Sequence, residues 1–244
     1  MMTLACVFLG WVFGGFLSGV SAFGAMMGAL PILSLVMPPL SAVLTCCLVA
    51  VPCCVQLAWL YRRHVDWNAV KWLALSCIPG SVLGTATLAV IPVSVLQVGI
   101  SLLIAVFIVV QLIGHRMGRR MNDSVPALCV TGAACGFTSA AISIIGVPLG
   151  IYILLASWDK DRSRGTMGMF FCLGCCVTVL SQWAYGLYGP ELVPLFLSGT
   201  AGVFLGQYAG FLVGRHINQA IFVKFVLAFL SCASVMLFCR GVGI

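Results

Sequence analysis

Five hydroxyl side chains stand in two glycine-rich stretches of an otherwise apolar chain. Ser18 and Ser21 lie in GGFLSGVSAFGAMMGALPIL, residues 14–33. Thr138, Ser139 and Ser143 lie in CGFTSAAISIIGVPLG, residues 135–150. Gly24 and Gly146 each follow a serine by three residues. Hydroxyls beside bare glycine N–H groups, at helix ends, are donors that suit an anion. Gln56, Gln182 and Tyr152 are further polar groups inside apolar runs, placed to bind a small molecule or to bond between helices. These ten residues form the expected substrate-binding set.

No catalytic constellation accompanies them. His64, His115, His216, Asp66, Asp123 and Glu191 are scattered at the edges of apolar runs, without an HExxH or carboxylate pair. The chain therefore reads as a non-enzyme, with no cofactor and no metal. Thirteen cysteines are present, most within apolar runs. Buried cysteine behaves as a small hydrophobe. The pairs Cys53/Cys54 and Cys175/Cys176 leave open a thiol-based carrier of sulfur or a soft metal.

The elements that must position these groups follow from composition. The chain has 244 residues, of which 62% are hydrophobic and 7% charged, and a mean hydropathy of +1.19. A soluble domain has about 25% charged residues. No charge occurs before Arg62, and others are sparse. Continuous apolar runs predict a polytopic all-α membrane protein rather than a barrel. The N-terminal run has no basic leader and continues too far for a signal peptide.

The net charge of +7 falls in islands that flank the runs: Arg62, Arg63 and Lys71; Arg116, Arg119 and Arg120; Lys160, Arg162 and Arg164; Arg215. This is the pattern of cytoplasmic loops, not of nucleic-acid binding. Lys71, Arg116, Arg164 and Arg215 are expected in the cytoplasm, with Glu191 and both termini outside.

The chain also matches itself at an offset of 122 residues. Gly10/Gly132, Gly14/Gly136, Ser21/Ser143, Gly24/Gly146, Gly28/Gly150, Gly80/Gly202 and Gly84/Gly206 coincide, as does CCV at 53–55 and 175–177. Two inverted repeats are predicted, with 8–10 segments in all. Residues 1–122 hold a glycine-rich broken or re-entrant hairpin (3–37) and helices 40–60, 72–91 and 93–113. Residues 123–244 hold a hairpin (125–157) and helices 166–188, 192–213 and 219–239. The run 146–150 is expected to supply the bend of the second hairpin. Broken helices are tolerated in lipid only where they face protein or a wet cavity. Two of them at matching places point to a substrate site. Gly80, Gly84, Gly202 and Gly206 read instead as close-packing positions on one helix face.

GGFLSGVSAFG followed by LPIL, with CGFTSAAISIIGVPLGIYIL, DKDRSRGT and YRRHVDW, resembles the TauE/SafE sulfite exporter family, also called the toluene sulfonate uptake permease family. The resemblance covers nearly the whole chain. It departs at Ala22, where the family pattern carries glycine, and at Ile145-Gly146, where it carries a Gly-Gly pair. It implies a multi-pass transporter of the bacterial inner membrane for sulfite, organosulfonates or related small sulfur anions. The partners implied are that anion and the lipid bilayer, with a homodimer left open. A channel mechanism is the other reading of two hairpins. The spans outside the islands carry no Asp or Glu, so no intramembrane proton relay is evident. Anion export down the membrane potential is favoured by about 2.3 kcal/mol per charge per 100 mV.

Overall fold

The computed structural model describes residues 2–21, 24–114, 123–156, 158–214, 228, 231, 232 and 234–236. Every element among them is helical. In chain order they are α1 (Met2–Ser21), α2 (Ala25–Val36), α3 (Pro39–Tyr61), a 3-10 turn (Arg62–His64), α4 (Trp67–Val90), α5 (Val93–Gly114), α6 (Val125–Ile142), α7 (Gly146–Ala156), α8 (Lys160–Ala184) and α9 (Leu192–Gly214). The predicted helix 219–239 lies largely outside the described residues.

Among the described residues, six helices are long and apolar enough to cross a membrane: α1, α3, α4, α6, α8 and α9. α2 and α7, of 12 and 11 residues, rise only about 18 Å and 16 Å at about 1.5 Å per residue. Each is short of the ~30 Å hydrocarbon core. Large apolar side chains such as Leu83, Val130, Leu180 and Trp183 are exposed along the long helices, as lipid contact requires.

Local chemistry moves several boundaries from where hydropathy alone puts them. α4 starts at Trp67 rather than 72, because Asp66 caps it: the Ala69 N–H donates to Asp66 Oδ1 at 3.1 Å. Lys71 therefore stands inside the helix. α8 starts at Lys160 rather than 166, with Asp159 accepting from the Asp161 N–H. The third basic island is thus the first turn and a half of a helix, not a loop. α8 stops at Ala184, four residues short of expectation, because Gly186 turns left-handed (φ 68°). Its N–H and that of Leu187 satisfy the Trp183 and Gln182 carbonyls.

The chain divides into two compact units. Unit 1 comprises 1–53, 91–108 and 188–244. Here α2 folds back antiparallel on α1: a Cβ at Gly10 would meet Leu33, at Gly14 Ala29, and at Gly28 Leu17. α9 runs parallel to α1. A Cβ at Gly202 would touch the Phe8 carbonyl, at Gly206 that of Val12 and at Gly210 that of Phe16. Ser198 Oγ donates to the Leu4 carbonyl at 3.0 Å.

Unit 2 comprises 54–90 and 109–187. α4 and α6 run parallel at backbone contact. A Cβ at Gly80 would strike the Ala133 carbonyl, at Gly84 that of Phe137 and at Gly136 that of Cys77. α7 and α8 pack beside them. Gly80, Gly84, Gly202 and Gly206 are close-packing glycines, as their spacing suggested. Gly14, Gly28, Gly132 and Gly136, inside the two hairpin sequences, do the same work. Most of the hairpin glycine is therefore explained by helix contact and not by breaks.

Candidate functional site

Each unit contains one interruption between a long and a short helix. In unit 1 the interruption is at Gly24, whose φ of 92° places it in the left-handed region. A Cβ there would meet no described atom within 4 Å, so conformation and not crowding demands glycine. Its carbonyl accepts from the Gly28 N–H at 3.1 Å, starting α2. In unit 2 the left-handed residue is Ser143 (φ 58°), not Gly146. Ser143 N–H donates to the Ser139 carbonyl at 2.8 Å, and Ile144 N–H to that of Thr138 at 3.2 Å. This closes α6. The bend thus occupies Ser143, Ile144 and Ile145, three residues before the predicted place. Gly146 is already the first residue of α7, and Pro148 stands in its first turn, where a missing N–H costs nothing.

The polar groups of unit 2 gather on the seam of α4, α6 and α8. Thr178 Oγ1 donates to Ser139 Oγ at 2.9 Å and lies 3.5 Å from Ser81 Oγ. Thr85 Oγ1 and Ser181 Oγ are 2.9 Å apart. Gln182, fully buried, donates from Nε2 to the Ala140 carbonyl at 2.9 Å. Ser143 and Ser139 are buried in the same unit. The structure so places Ser139 and Gln182 on one seam: Thr178 and Gln182, one turn apart on α8, bond to Ser139 and to the Ala140 carbonyl of α6. Thr138 stands apart, its hydroxyl donating to Ala134 and Cys135 of its own helix. Gln182→Leu should strand the buried Ala140 carbonyl and cost roughly 1–3 kcal/mol, read as a lowered unfolding temperature in detergent. Thr138→Val should leave that temperature nearly unchanged.

In unit 1, Ser18 is buried and accepts from Gln207 Nε2 at 3.3 Å. The same Nε2 lies 3.7 Å from Cys53 Sγ. Ser21 closes α1, and its side chain lies outside the described residues. Gln56, of unit 2, has Oε1 buried without a hydrogen-bond partner among the described residues.

Tyr152 takes a different place from the expected cavity. Its hydroxyl donates to Asp123 Oδ1 at 3.1 Å, and Trp158 Nε1 donates to the same oxygen at 2.7 Å. Arg162 joins Asp123 to Asp66. Its Nη1 is 2.8 Å from Asp123 Oδ2, and its Nη2 2.7 Å from Asp66 Oδ2. Nε also donates to Asp66 Oδ2 at 3.1 Å. The guanidinium lies 4.1 Å from the centre of the Trp158 ring. Burial pushes both carboxyls up. The Ala69 N–H and Arg162 at Asp66, and Trp158, Arg162 and Tyr152 at Asp123, outweigh it and hold both below the usual carboxylate range. Two of the chain's five acids are thus spent on a clamp that ties the start of α4 to the starts of α6 and α8.

Sequence reasoning missed this cluster because its three charged members are up to 96 residues apart. It also missed Gln207, although an amide inside an apolar run is the same signal that marked Gln56 and Gln182. Cys54 Sγ lies 3.8 Å from Cys175 Sγ, so the thiols meet across the sequence and not as adjacent pairs. One CxxC spacing, Cys172 to Cys175, falls inside α8. Among the described residues no group of three His, Cys, Asp or Glu is placed to hold a metal.

Long apolar helices, two half-length helices and buried polar seams define a multi-pass helical membrane protein. The chain belongs to the sulfite exporter TauE/SafE family, whose model matches residues 7–237. The family is one of membrane transporters. Comparison with curated proteins and with solved structures gave no match.

Proposed function

We infer that this protein is a secondary transporter, of the inner membrane, that exports small anions: sulfite, organosulfonates or related sulfur species. The observation that carries this reading is the pair of left-handed interruptions at Gly24 and Ser143, one in each unit. Gly24 follows the buried hydroxyl of Ser18 by six residues, and Ser143 that of Ser139 by four. In this reading each interruption receives cargo within its own unit, with Ser21 in unit 1 and Thr138 and Gly146 in unit 2. Gln56 and Gln182, both of unit 2, contribute polar groups, and Tyr152 acts through the Asp123 clamp.

The reading includes two inverted repeats, 1–122 and 123–244, with short helices that enter and leave the membrane on one side. Supporting it, α6, α7, α8 and α9 start 121 to 125 residues after α1, α2, α3 and α4. The partner choice is also reciprocal: α1 packs on α9, and its counterpart α6 packs on the counterpart α4. Inverted repeats with broken helices are the architecture of many secondary transporters.

The test is flux in proteoliposomes with sulfite, methanesulfonate, acetate and sulfate offered singly. Saturable efflux of sulfite or methanesulfonate, well above acetate, is expected. Equal rates for all four, or linear dependence on concentration, would replace the transporter with a channel.

A further inference from the structure

The link between α3 and α4 brings charge and aromatic rings to one depth of the membrane. The apolar window of α3 closes at Trp59, and that of α4 opens at Trp67. Both side chains stand out from the protein, at 70% and 62% exposure. Between them lies the 3-10 turn Arg62–His64, whose three side chains are all exposed. α3 has 23 residues and rises about 34 Å at about 1.5 Å per residue. That slightly exceeds the hydrocarbon core of about 30 Å, so its last turn reaches the headgroups. Tryptophan favours this depth, because its ring is apolar and its N–H seeks water.

The protein does not neutralise the cations of this turn. Arg62 and Arg63 form no ion pair among the described residues. The one acid of the link, Asp66, is engaged elsewhere. Its Oδ1 accepts from the Ala69 N–H, and its Oδ2 takes Arg162 at 2.7 Å. Arg62 lies instead over Trp59, with its guanidinium carbon 4.2 Å from the ring centre. Stacking fixes the guanidinium plane at the edge of the lipid and leaves its five N–H donors without a protein carboxylate. All of these residues belong to unit 2.

We propose that this turn holds the headgroup of an anionic phospholipid, with Arg62 and Arg63 on its phosphodiester and Trp59 against its glycerol and upper acyl chain. The guanidinium fork matches two phosphate oxygens. Two adjacent unpaired cations repel the ammonium of a zwitterionic headgroup, so a headgroup of net negative charge, such as phosphatidylglycerol, is selected. Basic residues are drawn to an anionic leaflet in general. A site differs in depending on the residues of one turn. The inference needs only a chain that crosses a membrane, and it stands or falls apart from the transporter reading.

The test uses the full chain in neutral detergent micelles, offered phosphatidylglycerol and phosphatidylcholine of the same acyl chains. Bound lipid is counted by native mass spectrometry. The wild type should retain phosphatidylglycerol over phosphatidylcholine by about tenfold or more, since each basic residue at an anionic surface contributes about fivefold. Arg62→Gln combined with Arg63→Gln should nearly erase the preference. The unfolding temperature of that variant in lipid-free micelles should match the wild type, because neither arginine has an ion pair to lose. Lys71→Gln removes one exposed charge from α4 and should lower the preference less than Arg62→Gln alone. Depth is read by quenching. Phosphatidylglycerol brominated on its upper acyl chain should quench the emission that Trp59→Phe removes, and brominated phosphatidylcholine should quench it less. Equal retention of the two lipids by the wild type overturns the site. So does a preference that survives loss of both arginines. Equal losses in Arg62→Gln and Lys71→Gln overturn it too, by showing diffuse surface charge in its place.

Discussion

Arg162→Ala is expected to destabilise unit 2 by more than any other single change at its charged end. The substitution removes both partners of Asp66 Oδ2 and Asp123 Oδ2 and leaves two carboxylates facing one another without the guanidinium. Breaking a fully buried pair costs about 3–5 kcal/mol. Here the side chain of Arg162 is 36% exposed, and those of Asp66 and Asp123 are 27% and 35%. Solvent screening reduces the cost, and about 2 kcal/mol is expected. Arg162→Lys should recover only part of it, because a single ammonium cannot present the planar fork that bridges two carboxylates. The readout is the unfolding temperature in detergent. An Arg162→Ala protein that melts with the wild type would show that the clamp contributes nothing.

The same cluster fixes a pH dependence. Both carboxyls are held below their ordinary value of about 3.9 in the folded protein. A depressed carboxylate contributes stability that is fully present above the unfolded value and is lost as pH falls through the folded one. The wild type should therefore lose stability below about pH 4. Arg162→Ala, in which both carboxyls move back up, should show a flatter acid limb.

Gly24→Ala is expected to abolish transport while sparing the fold. An alanine Cβ would have open space around it, so no packing is lost. The left-handed angle costs an alanine roughly 1–2 kcal/mol. The chain can relieve this by turning the Gly24 peptide, which redirects the N–H groups at the start of α2. Flux should fall to background with protein yield preserved. Gly80→Ala and Gly206→Ala should behave in the opposite way. Their Cβ atoms would overlap the carbonyls of Ala133 and Val12, so folded protein should be lost first. Ser143 provides the companion test. Ser143→Gly relieves a non-glycine left-handed residue and removes one hydroxyl. It should raise the unfolding temperature slightly and weaken sulfite affinity. Unchanged flux in both Gly24→Ala and Ser143→Gly would move the cargo site away from the interruptions.

Hydropathy and charge, read along the chain, determined the class of this protein. A run without charge up to Arg62 can only be helix in lipid, and the starts of α3, α5 and α9 fall within a residue of where apolar runs begin. The small-xxx-small spacing of Gly80/Gly84 and Gly202/Gly206 likewise carried its own meaning, because a Cβ-free stripe serves only close approach. Where helices begin amid charges was not legible from hydropathy. Lys160, Arg162 and Arg164 are helical because Asp159 and Asp66 supply caps and a partner. A hydropathy reading counts those residues only as polar. The break at Gly24 was visible as a glycine after a serine. The break at Ser143 was displaced, since which residue turns left-handed depends on where α6 ends its contact with α4. The clamp, the Gln207–Ser18 bond and the lack of a partner for Trp11 and Thr45 among the described residues belong to tertiary structure alone. Each joins helices distant in sequence, and a lone Trp or Thr in an apolar run has no periodicity to mark it. Sequence decides that a group is in the membrane; only packing decides whether it has a partner there.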